Sequence, residues 1–89
     1  MNVHDVAQYA VTNGEVSSRE KLTLIVLATL ADEEGWVHTP VPELCRATGA
    51  TQPTLSKSIK KLEALGVIED YGTKGVARLR RVVLSQEQG

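Results

Sequence analysis

Polar and basic side chains collect within one short stretch of the chain, residues 51 to 61. They are Thr51, Gln52, Pro53, Thr54, Ser56, Lys57, Lys60 and Lys61. An amide such as Gln52 can pair with adenine, a hydroxyl such as Ser56 can donate or accept, and Lys57 can bond guanine or a phosphate. Thr51 and Thr54 suit phosphate oxygens. The stretch therefore predicts contact with a nucleic acid, and the alternative is an ordinary solvated helix face.

A second group of basic residues lies nearer the end of the chain. Lys74, Arg78 and Arg80 fall in a predicted hairpin, where they could contact the DNA backbone or enter the minor groove. The alternative is an exposed hairpin whose edge is protected by charge. Glu69 and Asp70 would repel phosphate, so only the tip and the return strand can contribute. Arg46 precedes the polar stretch, and either a phosphate contact or a surface role fits it.

The net charge of −1 over 89 residues hides an uneven distribution. Residues 1–35 hold six acids and two bases, and residues 36–89 hold eight bases and five acids. The basic part contains both groups of candidate residues. Such a charge distribution can orient a protein on a polyanion.

Apolar spacing indicates the elements that position these side chains. Leu55, Ile59, Leu62 and Leu65 follow the spacing of one helix face, and the lysines fall off that face. Before this helix, Gly49 can end a shorter helix with a positive φ. Thr51 can cap the longer helix, and Pro53 fits in its first turn, where a missing N–H costs little.

Residues 42–68 (PELCRATGATQPTLSKSIKKLEALGVI) resemble the helix-turn-helix and wing entry of winged-helix DNA-binding proteins. They are most similar to MarR-like regulators and to the helix-turn-helix domains of phage and plasmid proteins. The matching parts are Leu44, Thr48-Gly49, Thr51, Leu55, Ile59, Leu62-Glu63 and Leu65-Gly66-Val67-Ile68. The resemblance implies a winged helix-turn-helix, mainly α with a small β-hairpin (α+β). We expect one domain over residues 1–89: an accessory helix (1–14), the helix-turn-helix (42–65) and the wing (66–84).

Two helices are predicted before the helix-turn-helix. Apolar residues at positions 3, 6, 7, 10 and 11 mark one face of an N-terminal helix, which must be covered by its own chain or by a second copy. Ser17 and Glu20 can form a capping box at the next helix. From Leu22 to Ala31 the apolar residues lie on two sides, so we expect this helix to be buried on both. One side should support the helix-turn-helix, and the other should pack on the N-terminal helix or on a partner subunit.

Three short strands are predicted. Trp36 and Val37 indicate the first, and residues 67–71 and 76–84 are predicted to form the strands of the hairpin. The resemblance to winged-helix domains implies that the first strand pairs with the hairpin. In the return strand, Arg81 and Val82 interrupt the alternation of side chains, which predicts a bulge or a change of register there.

Other classes of function find little support. Cys45 is the only cysteine, and His4 and His38 stand apart, so we expect neither a metal nor another cofactor. Phosphate loops, nucleophile elbows and paired carboxylates are missing from the sequence, so we expect no enzyme and no small-molecule ligand. The apolar run from Leu24 to Leu30 is too short to span a membrane, and the interpretation is a cytoplasmic, nucleoid-associated protein.

The resulting hypothesis is a homodimeric winged helix-turn-helix protein that binds double-stranded DNA as a small, repressor-like transcriptional regulator. A phage- or plasmid-type accessory factor in replication, partition or excision is one alternative. A winged helix used for protein interaction, with an incidental basic face, is the other.

Overall fold

The computed structural model describes residues 3–74 and 77–83, without the side chains of residues 3, 4, 11, 71–74 and 77–79. Its elements are α1 (Val3–Thr12), α2 (Ser18–Leu30), β1 (Trp36–Val37), α3 (Val41–Thr48), α4 (Gln52–Ala64), β2 (Ile68–Lys74) and β3 (Ala77–Val82). Helices dominate and a small antiparallel sheet follows, so the predicted winged helix-turn-helix with an extra N-terminal helix is confirmed.

The N-terminal helix α1 is covered by its own chain. It packs against α2, and the side chains of Val6 and Ala10 are fully buried. The sequence left open whether this helix faces its own chain or a second copy. In the structure, Val6 and Ala10 are covered by the same chain.

Helix α2 lies at the centre of the fold and contacts α1, α3, α4 and β1. It begins with the predicted capping box: Ser17 Oγ accepts from the Glu20 N–H at 3.2 Å, and the Ser17 N–H donates to Glu20 Oε1 at 2.9 Å. Leu24 and Leu27 are fully buried, but Leu22 is 46% exposed. The neighbouring elements of the single chain therefore cover one side of α2, and the side that carries Leu22 is left open. Burial of this second side against a partner subunit stays a prediction.

The sheet has the strand order β1-β3-β2, so β1 pairs with the hairpin as predicted. β3 pairs regularly with β1 at Arg80 and Arg81. The register shift lies instead in the β2–β3 pair, between Asp70 and Thr73. The predicted irregularity at Arg81 and Val82 is therefore wrong, since Val82 lies in the core beneath the sheet and its strand stays in register there.

A tight turn after α2 holds β1 against β3. Asp32 Oδ1 accepts hydrogen bonds from the backbone N–H groups of Glu34 and Trp36, both at 2.9 Å. Gly35 has a φ of +94°, and its carbonyl accepts from the Val82 N–H at 2.8 Å. The root of the wing is thus tied to the end of α2.

Candidate nucleic-acid interface

The turn between α3 and α4 is three residues long and internally hydrogen-bonded. Gly49 ends α3 in the left-handed region, with φ +73°, and its N–H donates to the Cys45 carbonyl at 2.8 Å. The Ala50 N–H donates to the hydroxyl of Thr48 at 3.3 Å. These bonds fix where α4 begins, which is the first requirement for a helix that reads DNA.

Thr51 caps α4, as the sequence predicts. Its Oγ1 accepts from the Thr54 N–H at 3.4 Å and its hydroxyl donates to Thr54 Oγ1 at 3.1 Å. Pro53 lies in the first turn, where its missing N–H leaves no hydrogen bond unmade. The start of α4 is therefore built from polar groups that hold its first turn together.

Helix α4 has one buried and one exposed face. Leu55, Ile59 and Leu62 are buried and anchor the helix on the core. Six of the exposed residues, which we call the reading face, form two adjacent rows at a spacing of four: Gln52, Ser56 and Lys60, and Pro53, Lys57 and Lys61. Exposed Ala64 follows at the end of the helix. The six residues of the reading face all come from the predicted set. Thr54 is half-buried beside them.

Gly66 ends α4 and directs the chain into the wing. Its φ is +83°, its N–H donates to the Glu63 carbonyl at 3.0 Å, and the Val67 N–H donates to the Leu62 carbonyl at 3.2 Å. This pair of bonds is a Schellman motif, and the two apolar residues that accompany it, Leu62 and Val67, are fully buried. The orientation of the wing relative to α4 is fixed by this motif.

Arg80 lies beside the reading face. Its half-buried side chain lines a small depression together with Gln52 and Ser56 of α4. Asp70 is the cross-strand partner of Arg80, and directly paired residues share a face of the sheet. The sequence predicted that Arg80 is a basic residue of the wing surface. It did not predict the proximity to Gln52 and Ser56. The signal available in the sequence was the apolar side chain of Val82, two residues further on the same face of the strand, which is buried in the structure.

Three further residues that the sequence predicted to contact DNA lie outside α4 and Arg80. Arg46 is exposed in the last turn of α3. Lys74 and Arg78 lie on β2 and β3, and their side chains are outside the described part of the structure. Among the residues that are described, no three metal-ligating side chains form a cluster. Over the same residues, no helix has the length and apolar character needed to cross a membrane.

Comparison with a model of the MarR family gives a match over residues 19–79, from α2 to the first half of β3. No curated protein matches the sequence. The matched range contains the turn, α4 and most of the hairpin.

Two solved structures share the fold at low sequence identity. One is the homodimeric winged helix-turn-helix DNA-binding domain of a possible ArsR-family transcriptional regulator from Mycobacterium bovis, at 21% identity and TM-score 0.57, covering 94% of this chain and 67% of that one. The other is a zinc-bound manganese uptake regulator, at 17% identity and TM-score 0.57, covering 94% of this chain. The chain spans 62% of the length of that second structure.

Proposed function

The chain belongs to the MarR family of winged helix-turn-helix proteins, and from this premise we propose that it binds double-stranded DNA as a homodimeric, repressor-like transcriptional regulator. The family and the fold are those of DNA-binding transcriptional regulators. The finer points, which are the contacting residues, the pairing of subunits and repression, form the proposal. We also propose that residues 1–89 act as one domain and that the protein works where the chromosome is, in the cytoplasm.

The reading face of α4 is the observation that carries the proposal. A helix that is anchored on the core by one face and exposes amide, hydroxyl and lysine groups on the other can enter the major groove. Gln52 and Ser56 lie in the first two turns, where side chains reach base edges. Lys57, Lys60 and Lys61 follow and would neutralise phosphates.

Pairing of subunits is supported by the way such domains read DNA. A single short helix contacts few base pairs, and dimers contact two half-sites about one helical turn apart. The Mycobacterium bovis domain with the same fold is homodimeric. Bound across a promoter, a dimer of this size would exclude polymerase, which is the simplest route to repression.

Salt dependence of DNA binding tests the proposal. Duplexes are first selected from a random pool with the purified protein, and their affinity is then measured by fluorescence anisotropy across a series of salt concentrations. Lys57→Ala should weaken binding and lower the salt slope by about one, since one phosphate contact is lost. Lys21→Ala, which removes the same charge from α2, is the matched control.

Two results would count against DNA binding. One is the absence of any retained duplex at about 50 mM salt, where phosphate contacts are strong; this would favour a protein-interaction module. The other is an equal loss of affinity in Lys57→Ala and Lys21→Ala, which would indicate general charge rather than a reading face. If the sequence shared by the selected duplexes occurs in the genome at replication or partition sites rather than at promoters, the accessory-factor alternative is favoured.

A further inference from the structure

Helix α2 exposes an apolar surface on the side that its own chain leaves open. Leu22 is 46% and Leu30 is 41% exposed, and these are the large apolar side chains that stand out at the described surface. Leu30 lines one surface together with half-buried Ile25 and Val26, exposed Thr29, and Ala47 of α3. Leu22 extends this surface, since it lies one helical turn before Ile25 and Val26, and we call the whole the α2 patch.

The one polar group of the α2 patch is already satisfied. The Thr29 hydroxyl donates to the Ile25 carbonyl at 2.8 Å, one turn earlier in the same helix. Covering the patch would therefore leave no hydroxyl without a hydrogen bond, which is the usual cost of burying threonine. The small side chain of Ala47 lets another helix approach closely at the edge of the patch.

Charges are arranged differently at the two ends of the patch. Arg19 is exposed at the start of α2, one turn before Leu22 and on the same side of the helix. The acidic residues 32–34, which are exposed, follow the end of α2 directly. The patch thus has a basic residue at one end and an acidic turn at the other.

We propose that the α2 patch binds the same patch of a second copy, with the two α2 helices antiparallel about a two-fold axis near Val26. This orientation brings Leu22 of each copy towards Leu30 of the other, since Val26 is midway between them. It also brings Arg19 of each copy towards the partner's acidic turn. Such a surface is complementary to itself, as a two-fold interface requires.

The proposal rests on the homodimer in the proposed function and adds where the subunits meet. A parallel pairing would set like charges against each other at both ends, so the charge pattern selects the antiparallel one. Two exposed helical turns make a small interface compared with the standard size, and we expect a dimer that dissociates in the micromolar range.

Charge substitutions at the two-fold axis give the test. Val26→Asp and Val26→Lys each place like charges against their own copy, so each variant alone should sediment as a monomer at about 100 µM, whereas the unmodified protein should sediment as a dimer. An equimolar mixture of the two variants should recover the dimer, because opposite charges now meet near the axis. Gln8→Asp and Gln8→Lys make the same changes on the exposed side of α1, and they should leave the dimer intact.

The outcomes are separable from the question of DNA binding. A monomer for the unmodified protein at about 100 µM, or dimers for both Val26 variants alone, would overturn the interface. Failure of the mixture to recover the dimer would overturn the placement of the two-fold axis near Val26. Circular dichroism of each variant shows that it is folded, and low-salt retention of duplex by the Val26→Lys monomer shows that the reading face is independent of pairing.

Discussion

The guanidinium of Arg81 lies over the indole of Trp36, with 5.4 Å between Arg81 Cζ and the ring centroid. Arg81 Nε also donates to the carbonyl of Glu34 at 2.8 Å. Because successive residues of a strand point to opposite faces, Arg80 lies on the other face of the sheet, beside α4. Two consecutive arginines therefore have different positions, one at the root of the wing and one near the reading face.

Arg81→Ala should destabilise the fold and leave the salt slope of DNA binding unchanged. The substitution removes a cation–π contact and a charged hydrogen bond, together worth about 1–3 kcal/mol at a half-exposed site. Urea unfolding measures the free energy, and anisotropy measures the salt slope. A reduced slope with unchanged stability would show instead that Arg81 contacts phosphate.

Local signals in the sequence predicted most of the elements. The Ser17–Glu20 capping box, the Thr51 cap and the positive φ of Gly49 each depend on a few neighbouring residues, and the structure confirms all three. The pairing of β1 with the hairpin also followed from the resemblance. The first three features need no knowledge of distant contacts, whereas the β1 pairing is a contact between distant residues that only the resemblance supplied.

Features that depend on distant contacts could not be predicted. The register shift between Asp70 and Thr73 is a property of two strands together, and alternation within β3 alone pointed to the wrong place. The open side of α2 depends on how much of the helix α1, α3 and α4 cover. The depression that holds Arg80 forms only when β3 meets the start of α4. In each case the feature depends on which residues the fold brings next to each other, and local sequence patterns do not give these neighbours.

Gly35→Ala should be strongly destabilising. A Cβ at this position would lie 2.5 Å from the carbonyl oxygen of Val82, and the φ of +94° is one that alanine rarely adopts. The positive φ alone costs about 1–3 kcal/mol, and the backbone contact adds to it. Thermal unfolding should show a large fall in Tm. Gly14→Ala, where a Cβ meets nothing within 4 Å, is the control and should change Tm little.

Ser17→Ala should lower the free energy of unfolding by about 1 kcal/mol. The substitution removes the hydroxyl that accepts from the Glu20 N–H and opens the capping box at the start of the central helix. Ser18→Ala changes the neighbouring exposed serine, which is already within α2, and should be nearly neutral. Urea unfolding of both variants makes the comparison, and equal losses would contradict the role of the cap.

Asp32→Asn should make stability less dependent on acid pH. The pKa of Asp32 is lowered below its ordinary value of 3.8. The hydrogen bond from the Trp36 N–H has the largest effect, and burial raises the pKa by less than this bond lowers it. His38 and the Glu34 N–H lower it further. A lowered pKa means that the carboxylate stabilises the folded state above pH 3.8. That contribution is lost as the pH falls from 3.8 through the lower folded pKa.

The measurement is the Tm of both proteins between about pH 6 and pH 2.5. The unmodified protein should be the more stable at pH 6, and the difference should shrink below about pH 4 because the asparagine variant has no carboxylate to protonate. Glu15→Gln changes an exposed carboxylate outside this turn and serves as the control. A difference that does not vary with pH would contradict the prediction.

Thr54→Val should weaken DNA binding and keep the backbone cap of α4, in which the Thr54 N–H donates to Thr51 Oγ1. The hydroxyl of Thr51 is used within the cap, since it donates to Thr54 Oγ1 and accepts from the Thr54 N–H. The proton of the Thr54 hydroxyl is left for another acceptor, and at the start of α4 a phosphate oxygen is the natural one. Losing one such bond should reduce affinity about five- to tenfold. Because no charge changes, the salt slope should stay the same.

Thr51→Val is the matched variant: it removes the cap and should lower the free energy of unfolding by about 1 kcal/mol. Fluorescence anisotropy measures the DNA affinity of both variants, and urea unfolding measures their stability, so the roles of the two hydroxyls can be distinguished. Equal effects of the two substitutions on stability and on affinity would show that the two hydroxyls act as one structural unit.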